Sequence, residues 1–260
     1  MVATVAGPSH TANPSTTTAG SPPASQPLPR YRYRLRFRKA GDLRLVSHHD
    51  LMNVFERMLR RAALPVAQTQ GFHPQPRLVF ALSLALGVAG ANEVVDLELT
   101  EPLGAEILQA RLAGQAPPGL EILSAVRLEG KVSSQVRRAF YSLPLPSADG
   151  LQERYQALMQ EPHLLVERTR PQPRTLDIKP YLSELTLHKD RLDLAIWVTP
   201  TGTARPEEFA RFLGLDPLLT AGAYFERTGL EMMDDAAPPQ LKQAPVVPSP
   251  TEITPLERIT

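Results

Sequence analysis

Apolar and basic side chains alternate strictly along residues 30–38. Tyr31, Tyr33, Leu35 and Phe37 fall on one side, and Arg30, Arg32, Arg34, Arg36 and Arg38 on the other. A period of two predicts a half-buried strand with an arginine face. Over residues 48–63 the period becomes helical. At about 100° per residue, Leu51, Met52, Phe55, Met58, Leu59 and Ala62 form an apolar face, opposite Asn53, Arg57, Arg60 and Arg61. Ser47 and Asp50 have the form of a capping box at the start of this helix, and Pro65 forbids its continuation. Strands are expected at 78–84, at 93–100 with Val95, Leu97 and Leu99 inward, and at 120–128, with a helix at 105–112. The order βαββαβ is the ferredoxin-like plan. Its first strand lies centrally, and both helices cover one sheet face.

A second pass follows. Strands are expected at 136–145 and 164–169, with a helix at 151–160 between them. A hairpin at 182–187 and 192–199 turns around residues 188–190. A short helix at 207–213, with Pro206 near its start, and a strand at 223–228 close the set. The expected class is therefore α+β: tandem ferredoxin-like domains over 30–130 and 131–235, divided near Gly130. No fixed-period repeat accompanies the duplication, which rests on element order. Residues 1–29 and 236–260 hold twelve of the chain's 27 prolines. With so few large apolar side chains they cannot offset ordering entropy, and both are expected to be disordered tails.

Composition narrows the function. A net charge of +1 argues against a bulk polyanion binder, so any nucleic-acid contact must be a local patch, and no preference for DNA is evident. The chain has no cysteine. That fits a cytoplasmic protein and excludes thiolate zinc sites and a cysteine-ligated iron–sulfur cluster. No apolar run reaches transmembrane length, and the N-terminus lacks the layout of a secretion signal. Phosphate-loop, dinucleotide-binding and nucleophile-elbow motifs are all missing.

Candidate chemistry gathers in three places. The arginine face suits either a phosphate backbone or a ladder of cross-strand ion pairs with Asp96, Glu98, Glu121 and Glu129. Residues 69–77, TQGFHPQPR, place Gln70, Gly71, Phe72, His73 and Arg77 in a proline-bounded loop that either binds a ligand or lets Phe72 plug the core. The helix start carries His48 and His49, whose side chains point about 100° apart and so do not converge on one metal ion. Glu93 and Asp96, three apart in a strand, face opposite ways and make a poor acid/base pair. Arg168, Arg170, Arg174 and Lys179 surround Asp177 in sequence, as either an RNA contact or a solvated cluster.

The run SHHDLMNVFERMLRRAALPVAQTQGFHPQPRLVFALSLALG, continued by EVVDLELTEPL, resembles an uncharacterised bacterial family of radical-SAM-linked proteins. The likeness spans about residues 31–230 and is sharpest at 43–100. It rests on Ser47, His48 and Asp50 at the helix start, on 59–65 at its end, and on Gln70, Gly71, Phe72, Pro74 and Pro76. His49 and His73 depart from the family pattern. The resemblance implies a non-catalytic accessory or adaptor to a radical SAM partner that holds the SAM, the iron–sulfur cluster and, in the cobalamin-binding type, a cobalamin. This chain would bind none of them, and RNA is a substrate it could present. Ser47, His48, Asp50, Arg57, Arg61, Gln70, Gly71, Phe72, His73 and Arg77 are the candidate contacts, with no metal among them. The alternative is a metal-independent endoribonuclease of tandem ferredoxin-like type, with His48 or His73 as acid/base and Arg57 or Arg61 holding phosphate.

Overall fold

Strand β1 (Tyr31–Lys39) lies between two antiparallel neighbours, β3 (Ala89–Leu99) and β4 (Leu120–Leu128). The computed structural model describes residues 30–147, 150–169 and 172–235; the two predicted tails and Arg170 lie outside the described residues. The short β2 (Leu78–Phe80) pairs antiparallel with the other edge of β3. This is three residues rather than the expected seven, because the chain turns away at Ala81 while Ala81 N–H still donates to Val94 O. The helices of this half are α1 (His48–Arg61) and α2 (Ala105–Ala113).

The second half runs β5 (Val136–Pro144), α3 (Leu151–Gln160), the hairpin β6 (Leu165–Arg168) and β7 (Arg174–Asp177), β8 (Leu182–Leu187), β9 (Arg191–Thr199), β10 (Gly202–Thr203), α4 (Pro206–Phe212), α5 (Asp216–Thr220) and β11 (Glu226–Met232). β11 pairs antiparallel with β5 and, through Glu226 and Arg227, parallel with Ala89 and Gly90 of β3. One nine-stranded mixed sheet therefore runs through both halves in the order β10-β9-β5-β11-β3-β1-β4, with β2 and β8 as side members. The architecture is α+β, with a large mixed sheet and few helices.

The α1 sequence explains its own ends. Ser47 Oγ accepts from Asp50 N–H at 3.2 Å, and the Ser47 hydroxyl donates to the Asp50 carboxylate at 2.7 Å. At the other end Ala63 N–H donates to Arg60 O and Leu64 N–H to Leu59 O, the double closure of a Schellman motif. Ala63 occupies its left-handed position at φ 49°, where glycine is usual, at a cost of about 1 kcal/mol. Leu51, Phe55, Met58 and Leu59 are buried against Tyr33, Leu35, Phe37, Val95 and Leu97. A separate core under the second half centres on Leu143, Leu158, Ile178, Leu192, Phe209 and Phe225.

Among the described residues, the side chains of Arg168 and Lys179 do not pair with Asp177. Arg168 turns to Glu208 of α4 (2.7 Å), and Lys179 Nζ donates to the carbonyls of Leu158 and Met159 at the end of α3. Asp177 instead accepts from the backbone N–H groups of Leu164 and Lys179 and pairs with His163. The carbonyls left unpaired at a helix C-terminus attract a cation, and Asp177 is already satisfied by its own donors.

Candidate functional site

The 69–77 loop projects from the sheet on a narrow neck. Thr69 N–H donates to Gln75 O, Gln75 N–H donates to the Thr69 hydroxyl, and Arg77 N–H donates to Ala67 O. Ala67 N–H in turn donates to Glu98 O, which ties the neck to β3. Gly71 turns the tip at φ 136°, a conformation that a side chain at this position would strain. Gln70, Phe72, His73, Pro74 and Gln75 are exposed, and Phe72 is fully so, at 102 %. Phe72 therefore does not plug the core; that role falls to Phe80, which meets Phe37, Phe55 and His48 edge-on at 5.2–6.0 Å. Beside the loop's base lies a groove of about 260 Å³, lined by Thr69, Arg77, Val79 and Glu98 among others. Arg77 reaches Glu98 only at 3.5 Å, and its Nε is buried without a hydrogen-bond partner.

The remaining candidates do not converge on this loop. Ser47 and Asp50 serve each other at the helix cap. Arg57 is exposed, and Arg61 donates to Gln115 O beyond α2. His48 is half-buried against Phe80. It lies nine residues before Arg57, so the two point about 180° apart and are separated by about 13 Å along the axis. No described hydrogen bond or ring contact links His48 to His73.

The arginine face is occupied from above. Arg34 binds Asp96 through Nε and Nη2 at 2.8 and 3.0 Å, and Arg32 binds the same carboxylate at 2.9 Å. The segment joining the halves then crosses this face. Arg32 donates to Val132 O, Arg34 donates to Ser133 O, and the Ser134 hydroxyl donates to Asp96. Arg30 pairs with Glu98 at 3.2 Å. Burial alone would raise the Asp96 pKa, but the hydrogen bonds from Arg34, Ser134 and Arg32 hold it below the ordinary aspartate value. The ladder of ion pairs thus accounts for Arg30, Arg32 and Arg34, and the connecting segment completes it.

A second polar cluster sits where the halves meet. Arg227 of β11 donates to both carboxylate oxygens of Glu93 on β3 and to the carbonyls of Leu82 and Ser83. The two side chains are 1 % and 3 % exposed. Lys39, fully buried at the end of β1, donates to Val46 O at 2.8 Å, and burial lowers its pKa. A Cβ on Gly90 would fall 2.6–2.9 Å from the Glu93 side chain, so only glycine leaves room for that carboxylate. Reading the sequence for function passed over Lys39 and Arg227. The signal was present for the strand pair: Lys39 continues the inward series Tyr31–Phe37, and Glu93 begins the series Val95, Leu97, Leu99.

A protein-family model described as "Uncharacterized protein conserved in bacteria (DUF2344)" matches residues 32–206. The chain belongs to that family. The DUF2344 match contains α1, the Phe72 loop, the ion-pair ladder and Glu93, and it stops at the start of α4, before Arg227. The family description names no partner and no chemistry. No curated protein matches the chain. A crystal structure of an unknown protein from Galdieria sulphuraria is 15 % identical, covering 78 % of this chain and 98 % of its own, with a TM-score of 0.25, too low to bear on fold or function. Among the described residues no helix is long and apolar enough to cross a membrane, and no three His, Asp or Glu side chains gather as metal ligands.

Burial, with the charges of Lys39, Arg227 and His49, lowers the His48 pKa, so the folded chain favours the neutral ring. Its contribution to stability is complete above the ordinary histidine value of about 6.5 and is lost as pH falls through the lower folded value. The melting temperature of the wild type should therefore drop between about pH 7 and pH 5 more steeply than that of His48→Gln. Parallel curves would show that His48 contributes nothing to this dependence.

Proposed function

We propose that this chain is an accessory protein that docks a partner protein through the 69–77 loop, with Phe72 as the anchor. The observation that carries this reading is a phenylalanine held wholly in solvent on a loop whose neck is tied at three backbone positions. Exposing a large ring forfeits about 1.5–3 kcal/mol of burial, a cost a partner's pocket repays. Because the neck is already ordered, docking loses little further loop entropy. The partner implied by the resemblance to radical-SAM-linked proteins is a radical SAM protein, which would carry the SAM, the iron–sulfur cluster and a cobalamin. Presenting RNA has a narrower base, since Arg30, Arg32 and Arg34 are paired and Arg36 and Arg38 are what the face has left.

We also infer a tandem ferredoxin-like pair. The first half has the strand order β4-β1-β3-β2 and the second β11-β5-β9-β8, so each reads fourth, first, third, second within its own half. The β6–β7 hairpin and β10 are additions to that plan.

The test compares the wild type and Phe72→Ala for binding to the radical SAM protein encoded in the same genome, by calorimetry. An anchor residue is worth about 2 kcal/mol, so the variant should bind roughly thirtyfold more weakly. Its melting temperature should hardly move, because the side chain touches no core. Equal affinity for the two proteins refutes the docking role of this loop.

A further inference from the structure

Three large apolar side chains outside the docking loop meet the solvent at one place. Residues 41–45 form a short 3-10 helix with no buried residue, and Leu45 at its end is exposed. Arg44 O accepts from Gly87 N–H at 3.0 Å, which brings the exposed Leu86 alongside. The Arg44 guanidinium lies over the ring of Tyr224, 4.5 Å from its centroid, and Tyr224 is exposed as well. This surface is already ordered. Ala40 N–H donates to Gly119 O, Val46 N–H to Leu43 O, and Lys39 Nζ to Val46 O. Gly87 stands just before β3, whereas the docking loop is tied to Glu98 near the far end of that strand. About 30 Å of extended chain therefore separates the two surfaces.

Two charges complete the patch. Among the described residues no ion pair engages Asp42 or Arg44; the Arg44 guanidinium donates to Gly41 O at 3.4 Å, and Asp42 is exposed. Residues three apart in a 3-10 helix eclipse one another, which puts Asp42 on the same side as Leu45. One anion and one cation thus flank an apolar centre. An acidic partner surface would meet Asp42 and a basic one Arg44, but a second copy, rotated by half a turn, answers both. We propose that two copies of this chain associate through this patch about a two-fold axis. Leu45, Leu86 and Tyr224 pack at its centre, and Asp42 of each copy pairs with Arg44 of the other. Lying over Tyr224, the Arg44 guanidinium keeps its edge, where the N–H donors point, for that carboxylate. The association uses the end of β3 remote from Phe72 and does not rest on the docking role.

The test is sedimentation equilibrium of the full chain from about 1 to 200 µM at about 50 mM salt, where surface charges are little screened. The wild type should show a reversible monomer–dimer equilibrium. Asp42→Arg and Arg44→Asp should each weaken it by about tenfold or more, since each sets like charges opposite one another twice. Mixed in equal amounts, the two variants should form a heterodimer of wild-type strength. The chain carrying both substitutions should likewise dimerise as the wild type does. A purely structural role for either residue predicts no such recovery. Leu86→Ser should weaken the dimer and leave the melting temperature unchanged. If Arg44→Asp does not fold, Asp42→Arg decides the matter, because that side chain is exposed in the monomer. A dimer indifferent to Asp42→Arg, or two folded variants that fail to associate on mixing, would overturn the interface. A wild type that stays monomeric throughout would also overturn it and leave the patch to a different protein.

Discussion

Arg227→Met should cost about 3–5 kcal/mol of folding stability, the range for removing one partner of a buried ion pair. The substitution leaves Glu93 charged, 3 % exposed and without its bidentate partner, and it frees the carbonyls of Leu82 and Ser83. A loss of that size is a large part of the 5–15 kcal/mol that a typical protein has in hand. Urea denaturation measures it directly as a shift in midpoint. The double variant Glu93→Gln/Arg227→Met should recover part of the loss, because position 93 then carries no unpaired buried charge. A single-variant cost below about 1 kcal/mol would mean that water reaches this pair. The location makes the test informative about the whole molecule, since β11 meets β3 at only two register positions and Arg227 is one of them.

The second large effect is expected at Asp96. Its carboxylate accepts from Arg32, Arg34 and Ser134, and the two arginines also hold the carbonyls of Val132 and Ser133. Asp96→Asn removes the charge from a side chain that is 3 % exposed, and should cost about 3 kcal/mol. It should also loosen the segment that joins the halves, seen as faster hydrogen exchange at 132–134. The pH dependence has a definite sign. The folded pKa of Asp96 lies below the ordinary value of 3.8 because Arg34, Ser134 and Arg32 outweigh the effect of burial. The stabilisation is therefore complete above that value and is lost as pH falls through the folded one. The gap between wild type and Asp96→Asn should shrink as pH is lowered from about 5 toward 2. A gap that stays constant to the lowest pH would be incompatible with the ladder described above.

The candidate site was legible as a set of residues and illegible as an arrangement. Gly71, Phe72 and the flanking prolines announced an irregular, ligand-accessible loop, yet whether Phe72 turned in or out depended on Phe80. That ring already fills the space between Phe37, Phe55 and His48, so no cavity remained for Phe72. Arg57 and Arg61 were correctly placed on the outer face of α1. Whether they met the loop depended on how the helix packs, and Arg61 reaches Gln115 instead. The arginine row had two readings of equal chemistry, and a hydrogen-bonding segment a hundred residues away chose between them for Arg32 and Arg34.

By itself the sequence determined α1 with its Ser47–Asp50 cap, the two faces of β1, the α3 boundaries, the β8–β9 hairpin and the α+β class. Each of these rests on periodicity or turn chemistry spanning a few residues, where the local pattern and the backbone preference agree. Only the tertiary structure decided that β11 would pair with β3, that Lys39, Glu93 and Arg227 would be buried together, and that Asp96 would anchor the connecting segment. Those outcomes depend on interactions between residues about 40 to 190 positions apart. The desolvation cost that makes them matter exists only once the two halves share a sheet.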